Sequence, residues 1–164
     1  MSELTPVIDK LASWWHGLED ARGDRALLRR AGSLTDVALS APYQRLYRQL
    51  VAAGWDSQSS DERNDRLAAV VGLLAHVKED SQQALPEAMS ARPRVEDKPP
   101  VSELRFQRLL ESPDIESLFS SLRRVLPLMN NRVDVKALAN DVLYWGDSIK
   151  KRWAYDYVWP QKSR

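Results

Sequence analysis

The strongest constraint on the fold is an apolar repeat at intervals of three and four residues, which runs through most of the chain. Such a repeat places apolar side chains on one face of an α-helix, whereas a half-buried strand alternates at every second residue. No stretch shows the strand pattern, so the sequence predicts an all-α protein. The clearest stripe comprises Ile115, Leu118, Phe119, Leu122, Val125, Leu126 and Met129.

Prolines divide this helical pattern into two parts. Pro86, Pro93, Pro99 and Pro100 exclude a continuous helix between residues 81 and 100, where the apolar repeat also fades. We therefore expect two small helical bundles joined by a Pro-rich segment. The N-terminal lobe covers residues 1–95 and the C-terminal lobe residues 96–164, and together they form one unit.

Individual positions refine this prediction. Gly72 falls inside a long apolar stripe, where it favours close packing of a neighbouring helix rather than a turn. The pattern predicts a final helix that begins at Asp134 and continues to Tyr157. Trp145 and Trp153 lie on its apolar stripe, so we expect both in the core rather than as platforms for nucleic-acid bases.

Several function classes are disfavoured by composition. The chain has 164 residues, no cysteine and two histidines, His16 and His76, that are far apart in sequence. Neither a nucleophile elbow nor a Gly-rich phosphate loop is present, so we expect no enzyme, no cofactor and no small-molecule substrate. No metal site is expected either. No stretch approaches the ~20 apolar residues of a membrane span, and no signal-peptide pattern occurs, so we expect a cytoplasmic protein without membrane contact.

The charge distribution is uneven. From Val101 onward there are 11 Lys or Arg against 8 Asp or Glu, and the first hundred residues have 13 against 15. The whole-molecule field is too weak to steer a nucleic acid strongly, so any phosphate site must be a local patch.

Clusters of cations beside the apolar stripes are the candidate nucleic-acid-binding residues, because guanidinium and ammonium groups on helices bind phosphate oxygens. Other interpretations stay open: Arg108 can pair with Glu111, Arg105 with Glu103, and Arg123 can lie over the core while Arg124 points away. A run of lysines is often only a solvated face. The candidates are Arg29, Arg30, Arg105, Arg108, Arg123, Arg124, Lys150, Lys151 and Arg152.

The order of several segments resembles the CasB family, the small subunit of the type I-E CRISPR surveillance complex Cascade. The resemblance runs from Trp14-Trp15 and residues 23–30, through Pro42-Tyr43 and Gly54-Trp55, to the helical C-terminal region that ends near Tyr157. It implies a non-catalytic subunit that assembles with other Cascade subunits and with a second copy of itself. It also implies that basic helical surfaces bind the backbones of crRNA, target DNA and the displaced single strand, which stabilises the R-loop.

A second hypothesis comes from another class of protein. The same cations are also consistent with a helical protein-protein adaptor whose basic residues pair with acidic partners and which binds no nucleic acid itself. The two hypotheses differ in geometry, because a nucleic-acid groove requires several candidate cations on one surface. They also differ in salt dependence, which is steep for nucleic-acid binding.

Overall fold

The computed structural model describes residues 3–161 and is mostly α-helical, which confirms the predicted fold class. None of the helices in this range has the length and apolar character needed to cross a membrane. The ten α-helices of the described range are α1 (Thr5–Gly17), α2 (Arg22–Arg30), α3 (Leu34–Ala38), α4 (Ala41–Ala52), α5 (Asp61–Leu74), α6 (Leu85–Ser90), α7 (Glu103–Leu110), α8 (Ile115–Val125), α9 (Val135–Leu143) and α10 (Asp147–Asp156).

The fifth helix is the centre of the core. Every residue from Leu67 to Leu74 is buried, and α5 packs against α3, α8 and α9. Gly72 allows the contact with α8, because a Cβ at this position would lie 2.8 Å from a ring carbon of Phe119. Close packing at Gly72 was predicted and is confirmed.

Two very short strands were not predicted. Strand β1 (Glu79–Asp80) pairs in parallel with β2 (Arg132–Val133), with Glu79 opposite Arg132. The pairing joins the segment after α5 to the segment before α9 and spans too few residues to leave an alternating pattern in the sequence. It fixes the entry to α9, because the Asp80 carboxylate accepts a hydrogen bond from the Val135 N–H at 2.9 Å.

The helices on the two sides of the Pro-rich segment share one buried apolar cluster. Helix α1 packs on α9, and α5 packs on α8 and α9. The end of the Pro-rich segment is also held, because the Val101 N–H donates to the Met89 carbonyl at 2.9 Å. The boundary between two lobes at residues 95 and 96 stays a prediction, and the parts on either side of it are in extensive contact.

The prediction of one final helix from Asp134 to Tyr157 is wrong. The helix does begin after an Asp134 cap, but α9 ends at Leu143 and α10 starts at Asp147. The Arg66 guanidinium donates hydrogen bonds to the carbonyls of Leu143 and Trp145, at 3.3 and 2.7 Å. These bonds satisfy backbone acceptors that the interruption leaves without helical partners.

The interruption also determines the packing of the two tryptophans. Trp145 and Trp153 are buried, as predicted, and their ring centroids lie 5.0 Å apart in an edge-to-face arrangement. Eight residues of continuous helix would separate them by about 12 Å along the axis. The aromatic contact therefore depends on the break between α9 and α10.

Candidate nucleic-acid interface

A concave surface between α7 and α8 brings three candidate cations together. Arg105 and Arg108 project from α7 and Arg124 from α8, around a cavity of about 250 Å³ that Ser121 and Val125 complete. We call this surface the arginine groove. Guanidinium groups that converge on one concavity suit phosphate oxygens, which each guanidinium can bind through two parallel N–H donors.

The local sequence determines why these side chains face the same way. The Ser102 hydroxyl accepts from the Arg105 N–H at 3.3 Å and caps the start of α7. Phe106 and Leu109 then form the buried stripe of α7, which leaves Arg105 and Arg108, three residues apart, on the outer side. The three groove arginines are all exposed.

The positive charges of the three groove arginines are not neutralised by ion pairs within residues 3–161. Across residues 3–161 no ion pair involves Arg105, Arg108 or Arg124, so the pairing of Arg105 with Glu103 or of Arg108 with Glu111 does not occur there. A ligand that binds these groups displaces water rather than a protein carboxylate. Ser121 also lines the groove, and the sequence analysis did not identify it. The one feature that could have indicated Ser121 is its position three residues before Arg124, which places both residues on the same face of α8.

Arg123 lies on a different side of α8, and its side chain is hydrogen-bonded within the protein. Its Nε donates to the His76 ring at 3.5 Å, and its Nη2 donates to the Arg29 carbonyl at 3.2 Å. The guanidinium also lies over the Phe119 ring, 5.5 Å from the centroid. Arg123 therefore links the end of α2, the end of α5 and α8, which agrees with the interpretation that it lies over the core.

The environment of His76 favours the neutral imidazole. Burial lowers the pKa of His76 to about 4, and the positive charges of Arg123, Arg29 and Arg25 contribute in the same direction. A neutral ring leaves Nε2 free to accept the hydrogen bond from Arg123. We call Arg123, His76 and the Arg29 carbonyl the histidine junction.

The two cations at the end of α2 lie near this junction and not in the arginine groove. Arg29 and Arg30 are both exposed and occupy the last turn of the helix. Arg25, one turn earlier, was not predicted to have a role. Its side chain donates to the carbonyls of Ala75 and Val77, at 3.1 and 2.7 Å, and so holds the chain that leaves α5.

The three cations of α10 point in separate directions, as their helical spacing of about 100° requires. Lys150 lines an acidic cavity that contains Glu62, Asp65 and Glu116. Lys151 is exposed to solvent. None of the three lines the arginine groove.

Arg152 is joined to a buried carboxylate. Asp141 is 4% exposed and accepts hydrogen bonds from the Arg152 guanidinium and from the Trp153 indole N–H, the latter at 2.8 Å. The arrangement attaches α10 to α9, and we call it the Asp141 clamp. Sequence reasoning missed Asp141, because an aspartate in a helix gives no signal of burial until its partners are placed.

Within the described part of the chain, no group of three or more His, Cys, Asp or Glu residues is arranged to hold a metal ion. The chemistry that the arginine groove offers is electrostatic, because three arginines line it. It presents fixed positive charge and N–H donors to an anion.

Comparison with known proteins identifies the family. The model of the family described as CRISPR-associated protein Cse2 matches residues 24–157, which is most of the chain. Searches of the curated proteins and of the solved structures gave no significant match. The match covers the segments from which the CasB resemblance was drawn, except for Trp14-Trp15 and Gly23, and the chain belongs to the Cse2 (CasB) family of CRISPR-associated proteins, the family of a type I-E Cascade subunit.

Proposed function

We propose that this protein is the non-catalytic small subunit of a type I-E Cascade, and that its arginine groove binds nucleic-acid backbone. The carrying observation is the convergence of Arg105, Arg108 and Arg124 on one exposed concavity without ion-pair partners in residues 3–161. The backbones concerned are those of the crRNA, the target DNA and the displaced single strand. Binding them would stabilise the R-loop.

Modest contacts are sufficient for this task. Exchange of a DNA duplex for an RNA–DNA heteroduplex is close to energetically balanced, so protein contacts to the backbone can decide its outcome. Each neutralised phosphate contributes a factor of about five near 0.1 M salt, which corresponds to about 1 kcal/mol. Three arginines in one groove therefore suffice to shift the balance without reading any base.

The remaining predicted residues fall into two sets. Arg29, Arg30, Lys150 and Lys151 are proposed as secondary backbone contacts in the assembled complex. Arg123 and Arg152 are engaged within the protein, so we propose that they contribute only long-range positive charge. The other Cascade subunits and a second copy of the chain are the proposed protein partners, in the cytoplasm.

Binding of a fluorescent single-stranded DNA to the purified protein tests the groove. We expect the variant R105A/R108A/R124A to lose affinity by about 100-fold near 0.1 M salt, because each neutralised phosphate contributes a factor of about five under these conditions. The slope of log affinity against log salt should become shallower by about 2. Fluorescence anisotropy at four salt concentrations measures both quantities.

A charge-matched control separates the groove from net charge. Arg22, Arg48 and Arg94 are exposed and lie outside every candidate site, so R22A/R48A/R94A removes the same charge elsewhere. We expect this control to retain most of the affinity and of the salt slope. Equal losses in the two variants would contradict a localised groove, and wild-type protein that fails to bind at low salt would favour the adaptor hypothesis.

A further inference from the structure

Tyr155 is the most exposed aromatic side chain in residues 3–161. It is 89% exposed on α10, whereas the other exposed tyrosine, Tyr144, is 39% exposed. Burial of an aromatic ring of this size is normally favourable, so a ring left almost wholly in solvent on a well-packed helix is a candidate contact for a ligand or partner.

The helix that carries Tyr155 is firmly held. Ile149 and Trp153 are buried on the opposite face, and the Trp153 indole N–H donates to the buried Asp141 carboxylate at 2.8 Å. Trp145 packs edge-to-face on Trp153. The ring of Tyr155 is therefore presented from a rigid support, which reduces the entropy lost when a second flat group stacks on it.

The exposed face of α10 that precedes Tyr155 is basic and polar. Lys151 lies one helical turn earlier on the same face, about 6 Å along the axis, and Ser148 lies one turn before that. Both are exposed, and across residues 3–161 Lys151 has no ion pair. A single ring beside a free cation differs from the contiguous apolar patch typical of a protein interface, and it matches the combination by which proteins bind single strands.

We propose that Tyr155 stacks on an unpaired base of a single-stranded nucleic acid whose phosphate backbone contacts Lys151. This inference rests on the proposed function and adds a contact that the arginine groove does not supply. The two surfaces belong to adjoining elements, because the Tyr157 hydroxyl, just beyond α10, donates to the Val101 carbonyl at 2.6 Å before α7. The rings of Phe106 and Tyr157 also stack, with centroids 4.1 Å apart.

An abasic oligonucleotide isolates stacking from charge. We would measure binding of the purified protein to a thymidine 20-mer and to an abasic oligomer with the same number of phosphates, for wild type, Y155A and Y155F. We expect Y155A to weaken thymidine binding by roughly 5- to 150-fold, the range for loss of one base–aromatic stack. Abasic binding and the salt slope should be unchanged, and Y155F should behave as wild type because it keeps the ring.

Three other results would contradict the stacking contact, and each has a different consequence for the proposed function. Equal thymidine binding by wild type and Y155A, with the groove's salt slope intact, rejects stacking and leaves the proposed function standing. If Y155A instead fails to assemble with other Cascade subunits while it binds DNA normally, Tyr155 is a protein contact. Wild-type protein that binds neither oligomer at low salt rejects both proposals.

Discussion

The arginine groove and the histidine junction contain neighbouring residues of one helix, yet they use their charge differently. Arg124 is exposed in a concavity with Arg105 and Arg108. Arg123, the preceding residue, is bound to the His76 ring and to the Arg29 carbonyl. A rotation of about 100° between consecutive residues separates a cation free for a ligand from a cation that holds the fold.

The last helix repeats the comparison. Lys151 is exposed without an ion pair in residues 3–161, whereas Arg152 belongs to the Asp141 clamp. Adjacent basic residues are thus a poor guide to a binding surface, because in both of these pairs one residue has a partner inside the protein. Substitutions at these neighbouring positions test the distinction directly.

The largest effect on stability is expected at the Asp141 clamp. D141A removes the acceptor of both the Arg152 guanidinium and the buried Trp153 N–H, so we expect the free energy of unfolding to fall by about 3 kcal/mol. Urea denaturation followed by circular dichroism measures this change. E111A, which removes an exposed carboxylate without an ion pair in residues 3–161, should change stability by less than about 0.5 kcal/mol.

Two further variants refine the comparison on α10. R152A should destabilise the protein by about 1–2 kcal/mol, whereas K151A should leave the unfolding free energy unchanged within about 0.5 kcal/mol. Equal stability of R152A and K151A would show that the bond between Arg152 and Asp141 contributes nothing, and the distinction drawn between the two residues would then fail.

A smaller effect is expected for the two arginines of α8, where one substitution should lower stability and the other should lower nucleic-acid affinity. R123A removes two hydrogen bonds and a ring contact, so it should lower the unfolding free energy by about 1–2 kcal/mol. R124A should leave stability unchanged and reduce the affinity for single-stranded DNA about fivefold near 0.1 M salt. If R123A weakened binding as much as R124A did and left stability intact, the assignment of the two roles would be wrong.

The smallest effect is a pH dependence that originates at the histidine junction. The pKa of His76 is lowered from 6.5 to about 4 in the folded protein, mainly by burial, so the unfolded chain takes up a proton first as the pH falls. The stabilisation is complete above pH 6.5 and is lost progressively between that value and pH 4. Because the ring is partly exposed, we expect a contribution on the order of 1 kcal/mol.

The variant H76Q is the matched control for this titration. Its amide oxygen can accept the hydrogen bond from Arg123 but does not titrate. The stability difference between about pH 7 and pH 5 should be larger for wild type than for H76Q, since the carboxylates titrate alike in both. Identical pH profiles would mean that His76 does not link protonation to folding.

Much of the fold follows from the sequence. The three- and four-residue apolar repeat predicts helices, and Ser102 and Asp134 mark where helices begin. Gly72 correctly indicated a close helix contact. These features are local, because periodicity, capping and proline geometry act over one or two turns.

The features that the sequence did not predict depend on residues far apart in the chain. The break between α9 and α10 is stabilised by Arg66, more than seventy residues earlier. The pairing of β1 with β2 joins segments separated by about fifty residues. Helical periodicity continues across the break, so no pattern within residues 134–157 distinguishes two helices from one.

The candidate site also combines features that depend on nearby residues with features that depend on residues far apart in the chain. The sequence by itself determined the family, the helical fold class and the two faces of α8, because each follows from the order and spacing of nearby residues. Only the tertiary structure decided which cations are available: packing placed Arg105, Arg108 and Arg124 around one concavity. It also joined Arg123 to His76 and Arg152 to Asp141. The physical reason is that a cation is free or paired according to its neighbours in space, which the chain brings together only when it folds.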